Sequence, residues 1–270
     1  MFRITRWGTV IFMIGIHILA VVALLPVFWS WTSVASLLVL YYVTACLGVT
    51  LGYHRLLSHR SFKAPRWVER VLATCGALSC QHGPIDWVGL HRHHHRFSDQ
   101  ANDHHCSRRG FWYSHFHWMI CDIPAQVQVP RFSADLVKDP YFRWLNGNFL
   151  LLQLPLAVAL YFIGGWGAVL WGIPLRLVLV YHATWLVNSA THRWGYRLFK
   201  TSDRSRNNWW VAALTFGEGW HNTHHAHPGS AQHGIRWWEL DITYQHILLL
   251  KRLGLARHVR LCPRPASSIP

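Results

Sequence analysis

From Trp7 to Tyr53 the chain carries no Asp, Glu, Lys or Arg, and from Asn146 to Leu175 it again carries none. No other feature limits the fold as strongly. Soluble domains place charge on about a quarter of their residues and spread it along the chain. Here the charged share is 14% and it is segregated. A helix needs about 20 apolar residues to cross a bilayer. Gly8–Val27 and Ser33–Gly52 fit two such spans, joined by the aromatic turn Phe28-Trp29-Ser30-Trp31, a composition found where helices leave the bilayer. Residues 148–163 and 172–190 fit a third and a fourth, joined by Gly164-Gly165-Trp166-Gly167. The expected fold is an all-α integral membrane protein in one domain, 1–270. Four transmembrane helices carry a helical cap made of 53–147 and 191–262, with a tail at 263–270. Within the cap, Trp67–Cys80 and Phe111–Ile120 are expected to lie along the membrane surface.

The formal charge of +15 would suit nucleic acid. Its distribution points elsewhere. Lys and Arg fall almost entirely in Met1–Arg6, in His54–Arg143 and after His192, the pattern of loops held on the cytoplasmic side. Both termini and the cap are therefore placed in the cytoplasm, and nucleic acid is excluded as a partner. The same basic surface would attract anionic lipid and an acidic protein. Six scattered cysteines form no CxxC pair and predict no disulfide framework. The first apolar run is too long for a cleavable signal. Arg176 is expected to snorkel from the outer end of the fourth span. His17 and His182 read as packed polar residues, with no cluster at His17's depth and a pocket-lining role as the alternative for His182.

The chain holds 21 histidines, and many fall into three boxes: His54-Arg55-Leu56-Leu57-Ser58-His59, His91-Arg92-His93-His94-His95 and His221-Asn222-Thr223-His224-His225. Residues i, i+3 and i+4 share a helix face. His91, His94 and His95 have that spacing, as do His221, His224 and His225, and each set can aim at one locus. Asn188 and His192 are four apart. His93 and His227 point away. His54 and His59 are five apart, and share a face only if the helix ends or distorts between them; otherwise they serve two metals. Eight imidazoles exceed one four-coordinate ion and indicate two. No HExxH motif supports a zinc peptidase. Asp99, Asp103 and Glu218 lie beside the boxes and suit carboxylates that orient imidazole N–H groups. An all-nitrogen di-iron site facing lipid suits O2-dependent oxidation of an unactivated C–H bond, giving desaturation or hydroxylation; spacing does not choose. A metal transporter or sensor would need more ionisable residues in the spans than His17, Arg176 and His182.

These boxes resemble those of the membrane-bound fatty-acid desaturases, specifically the delta-9 branch. The similarity runs from about Gly52 to Arg257. It includes Gln81-His82-Gly83-Pro84-Ile85-Asp86-Trp87, Ser107-Arg108-Arg109-Gly110-Phe111, Thr184-Trp185-Leu186-Val187-Asn188 and Gly217-Glu218-Gly219-Trp220. The resemblance implies two ferrous ions and O2. The ligands it implies are His54, His59, His91, His94, His95, His192, His221, His224 and His225, with Asn188 acting through water. It implies an acyl tunnel shaped by Gln81, Trp87, Thr184 and Trp185, and a cis double bond at delta-9 of a saturated chain. Gly89-Leu90 and Cys121-Asp122 stand where animal acyl-CoA members carry an Arg-Asp pair and a basic pair. That favours a glycerolipid-linked chain, with acyl-CoA second and a hydroxylase third. No cytochrome b5 domain is fused, so electrons are expected from a separate ferredoxin, cytochrome b5 or rubredoxin.

Overall fold

The structure, a computed structural model, describes residues 4–121 and 129–263. Regular structure among them is helical, with isolated bridges only at Lys63–Arg257, Tyr196–Asn207 and Asn207–Trp220. Of the predicted tail at 263–270, all but Pro263 lies outside the described residues, as does Asp122.

Helix α1 is Trp7–Ala23, 17 residues of mixed aliphatic and aromatic character. A 3-10 turn, Pro26–Phe28, follows. Ser30 starts α2 (Trp31–Tyr41), its Oγ accepting from the Ser33 N–H at 3.0 Å. The helix does not stop at Gly52, the expected end of the second span. Helical structure continues from Tyr42 to Ser58 in the wider π winding, giving one apolar helix of 28 residues, Trp31–Ser58. No proline breaks it, and His54 and Arg55 are buried rather than released to water.

Helix α3 (Arg66–Ala77) is amphipathic. Its Val68, Leu72 and Ala73 are buried and its Trp67 and Val71 face out. It packs on the π segment backbone to backbone, because Gly48 and Gly52 line the contact. A Cβ on Gly48 would lie 2.4 Å from the Cys75 carbonyl carbon, and one on Gly52 would lie 2.8 Å from Leu72 O. Small residues four apart permit this close approach. Gly48→Val is expected to push α3 away and cost about 3 kcal/mol, the upper end of overpacking penalties, read as a lower midpoint of thermal unfolding in detergent.

Helix α4 (Pro84–Phe97) carries the second box. Helix α5 (Pro140–Asn148) is capped by Asp139, whose Oδ1 accepts from the Tyr141 N–H at 2.9 Å. Then come α6 (Gln153–Leu170), a π turn at Trp171–Leu175, α7 (Arg176–Ser189) and a 3-10 turn at Ala190–His192. Gly164 and Gly165 leave helical geometry, Gly165 at φ +63°. The chain reverses there: Gly172 lies close enough to Leu160 that a Cβ would meet its Cδ1 at 2.8 Å. Two described stretches, Trp31–Ser58 and Pro140–His192, are long and apolar enough to cross a bilayer, with mean hydropathy 2.0 and 1.8. The remaining helices are α8 (Trp209–Leu214), α9 (His221–Ala226) and α10 (Ile242–Arg252).

The long apolar helices expose apolar side chains and bury polar ones. Phe162 is 83% exposed and Arg176 is 0% exposed. Arg176 therefore does not snorkel. It donates to Leu78 O at 2.6 Å, Gln153 Oε1 at 3.1 Å and Gly172 O at 3.0 Å, ligands that replace water only in the interior. His17 is not isolated either. Its Nε2 lies 3.2 Å from His182 Nε2, and His182 Nδ1 lies 3.1 Å from His115 Nε2. His115 Nδ1 reaches Ser189 Oγ at 2.9 Å. A ladder of imidazoles thus joins α1, α7 and the Tyr113–His117 turn. That turn is more buried than a surface helix, because Tyr113, His115 and Trp118 pack against α7 while Trp112 faces out. All six cysteines are free.

Candidate metal centre

Each box reaches the centre from a different element. His54 ends the π segment and His59 follows it, where the His59 N–H donates to His54 O at 3.1 Å, an i→i+5 bond. In this winding, residues five apart come back over one another, and the two rings lie 4.8 Å apart. The distortion brings them together rather than to separate loci. His91, His94 and His95 project from α4, His192 from the turn after α7, and His221, His224 and His225 from α9.

Nine imidazoles sort into two adjacent groups. One holds His54, His59, His91, His95 and His224; the other holds His94, His192, His221 and His225. Each HxxHH set is split between them, instead of aiming at one locus. Because i and i+4 diverge slightly in angle from i+3, α4 sends His91 and His95 to the first group and His94 to the second. Helix α9 sends His224 to the first and His221 and His225 to the second.

The facing atoms are Nε2 throughout. His54–His224 Nε2 atoms are 3.1 Å apart, His59–His91 2.7 Å, His95–His224 2.9 Å and His192–His221 3.1 Å. Neighbouring ligands on an octahedral ion with bonds of about 2.1 Å lie about 3 Å apart, so the donor set fits a bound metal. The far nitrogens hold carboxylates. Glu218 lies 2.7 Å from His54 Nδ1, Asp103 3.0 Å from His94 Nδ1 and Asp99 2.9 Å from His192 Nδ1. Such partners fix the tautomer that leaves Nε2 free for a metal. His93 is buried with neither ring nitrogen bonded, against Phe97, Phe132 and His104. His227 packs on Phe199. Both stand outside the groups.

Beside the first group lies a cavity of about 380 Å³. Gln81, Trp87, Thr184 and Trp185 all line it, with His91 and Asn188 at the same wall. Gln81 Nε2 donates to Thr184 Oγ1 at 2.9 Å, and Trp87 Nε1 to Gln81 Oε1 at 3.4 Å. Trp87 stacks on His91 at 5.0 Å between centroids. Phe12, Met13, Leu90 and Met119 supply apolar wall, and Arg6, His82, His104 and His105 also line it.

The family model for fatty acid desaturase matches residues 29–250. The chain belongs to the fatty acid desaturase family. This desaturase is 49% identical over 260 residues to an sn-1 stearoyl-lipid 9-desaturase of Synechocystis sp., covering 96% of this chain and 82% of the relative. It is 50% identical over 259 residues to an sn-1 stearoyl-lipid 9-desaturase of Anabaena variabilis, covering 96% and 95%. A chloroplastic palmitoyl-monogalactosyldiacylglycerol delta-7 desaturase of Arabidopsis thaliana is 48% identical over 257 residues, covering 94% and 69%.

Four polar residues of the desaturase's centre escaped the sequence. Asp203 takes His225 Nδ1 at 2.6 Å. Burial alone would raise its carboxyl, but the bond to His225 outweighs that and holds it low. His233 sits 3.2 Å from Glu218 and packs on His224. His104 and His105 line the cavity, and His105 lies 4.0 Å from the His94 ring. None follows a box spacing, so nothing local marked them. Asp203→Asn is expected to lower metal affinity by about 10–100-fold, the usual cost of losing such a partner, read by chelator competition.

Burial first, then repulsion from neighbouring imidazoles, holds His91, His95, His221 and His224 well below the ordinary histidine value. His225 falls to about 4 by burial despite Asp203. Neutral imidazole is the form that binds metal. For His94 burial acts downward too, but Asp103 outweighs it and the value rises. A family desaturase with two converging imidazole groups carries a metal centre.

Proposed function

We propose that the chain is an O2-dependent desaturase that introduces a cis double bond at delta-9 of a saturated, glycerolipid-linked acyl chain. The observation that carries this is the largely apolar cavity beside the five-imidazole group. It is lined by Gln81, Trp87, Thr184 and Trp185 and touches His91 and Asn188. The relatives named for stearoyl-lipid desaturation at position 9 support the substrate class.

The nine imidazoles would hold two iron ions, five around one and four around the other, with Asn188 contributing through water. Bound iron would supply O2 activation for removing hydrogen from an unactivated C–H bond. The protein's own residues do the positioning. Apolar walls retain each methylene for about 0.8 kcal/mol. The Trp87–Gln81–Thr184 bonds give the cavity one fixed polar point, against which the chain can register. Trp87, stacked on His91, keeps that point at a set distance from the ligands. A chain held this way presents adjacent C–H bonds to one locus, which gains rate by orientation. Thr184→Leu removes the acceptor of Gln81, and is expected to shift the bond position or lower activity at least tenfold while metal content stays within about 20%, as fits a group that orients substrate. Gas chromatography and iron analysis read both.

Gly89 supports the lipid-linked carrier over acyl-CoA. A Cβ there would lie 2.6 Å from Val129 Cγ1, so this packing has no room for a charged side chain. The spans and charge pattern support a multi-pass protein with four crossings, both termini and the centre on the cytoplasmic side. Expression in a host fed saturated chains, with products analysed, tests the reading. A new cis-9 monoene is expected; a hydroxy acid without it would sink the proposal.

A further inference from the structure

A second cavity, of about 210 Å³, opens on the other side of the four-imidazole group. Its floor is Ser189 and His192, and its rim carries Arg108, Arg193 and Arg204. All three arginines are exposed. Among the described residues none of their guanidinium groups forms an ion pair or a side-chain hydrogen bond; Arg193 only lies over Trp194 at 5.5 Å. Other arginines near the centre are matched: Arg55 to Glu218 and Asp241, Arg60 to Glu69 and Asp135, Arg92 to Asp135. The carboxylate behind the cavity wall, Asp99, is buried. It is taken up by His192 Nδ1, by Ser107 N at 3.1 Å and by Arg204 N at 2.8 Å. That carboxylate therefore fixes the two rim loops to the His192 ring. Trp194, half-exposed and packed on Phe111 at 5.3 Å, adds an aromatic edge.

We propose that this rim is the docking surface for an acidic one-electron carrier protein, with His192 as the edge through which electrons reach the centre. The proposal rests on the desaturase reading. Removing two hydrogens from the acyl chain and reducing O2 to two waters consumes two further electrons and two further protons. The carrier is oxidised twice, one electron each time, and solvent supplies the protons. The acyl cavity occupies the side of the centre at His91 and Asn188, so a carrier needs another approach. The Arg-rimmed opening supplies one, ending on an imidazole whose Nε2 is 3.1 Å from His221 Nε2. Three unpaired cations around one opening complement a carrier with a carboxylate ring around its redox centre, a small iron–sulfur protein of the ferredoxin type. Charge of this kind acts on the rate of encounter and is screened by salt.

The experiment uses the full chain in neutral-lipid nanodiscs with reduced plant-type ferredoxin. The variant is Arg108→Glu/Arg193→Glu/Arg204→Glu; Lys251→Glu/Arg252→Glu/Arg257→Glu, at exposed positions on and just after α10, makes the same change of net charge away from the rim. The rim variant is expected to raise the ferredoxin KM at least tenfold, within the usual range of electrostatic steering. It should also lose salt-dependent ferredoxin binding, while the control variant keeps both. Single turnover with photoreduced riboflavin, and iron content, should stay within twofold of wild type. Equal loss in the control variant, unchanged ferredoxin binding by the rim variant, or rescue of the rim variant by changing only the anionic-lipid content would each overturn the proposal, the last assigning the rim to the membrane. If wild type binds ferredoxin through the rim but yields no unsaturated product with either reductant, the docking stands and the desaturase reading fails.

Discussion

His94→Ala is expected to abolish turnover and empty the four-imidazole group, while the adjacent His93→Ala keeps its metal. The two residues are neighbours of similar burial, so side-chain loss alone does not separate them. His94 Nδ1 is held by Asp103, and its other face joins His192, His221 and His225. Losing only the partner of a ligand commonly costs about 10–100-fold; losing the ligand itself removes more. His93 has no bonded nitrogen, and its replacement leaves a cavity against Phe97 and Phe132. That cavity is expected to lower thermal stability but leave iron content within about 20% of wild type, since no ligand or ligand partner is lost. Iron analysis on purified protein, set beside product yield, decides. Equal metal loss from both variants would overturn the two-group assignment.

Arg55→Leu is expected to cause the largest loss of stability. Arg55 is fully buried inside the first box. It donates to Glu218 Oε1 at 3.1 Å, to Asp241 at 2.9 Å and to Ala231 O at 2.7 Å. Glu218 in turn holds His54, and Asp241 caps α10 through the Tyr244 N–H at 2.9 Å. Removing the cation leaves two buried carboxylates without it, a change that costs about 3–5 kcal/mol. Burial would raise the Glu218 carboxyl, but Arg55 and His54 hold it well below the ordinary value of 4.5. A depressed carboxyl stabilises the fold above its unfolded value, and that contribution is lost as pH falls through the folded one. The gap between wild type and variant should therefore narrow below about pH 4.5 and be widest near neutrality. Thermal unfolding of metal-stripped protein across that range measures it; a pH-independent gap would mean that packing, not charge, made the difference.

Much of this chain is legible from short-range pattern. Charge-free stretches announce apolar helices, because a bilayer penalises charge wherever it falls in the run. The boxes announce a metal centre, because their spacing places imidazoles on shared helix faces. The carboxylates Asp99, Asp103 and Glu218 were within reach for the same reason, lying a few residues from the boxes. Asp203 and His233 were not, since each reaches the centre only after the chain between α7 and α10 has folded over it.

What the sequence determined by itself is therefore composition-like and local: helices, their apolarity, the kinds of ligand and the family those ligands resemble. Tertiary structure alone decided which imidazole joins which group. A helix face about 100° wide admits both loci, and only the position of the facing helix selects one. It also fixed the π winding that unites His54 with His59, whose i→i+5 bond no sequence spacing announces. It reversed Arg176 from the surface to the interior, since two of the groups that hold its guanidinium, Leu78 O and Gln153 Oε1, reach it only through packing.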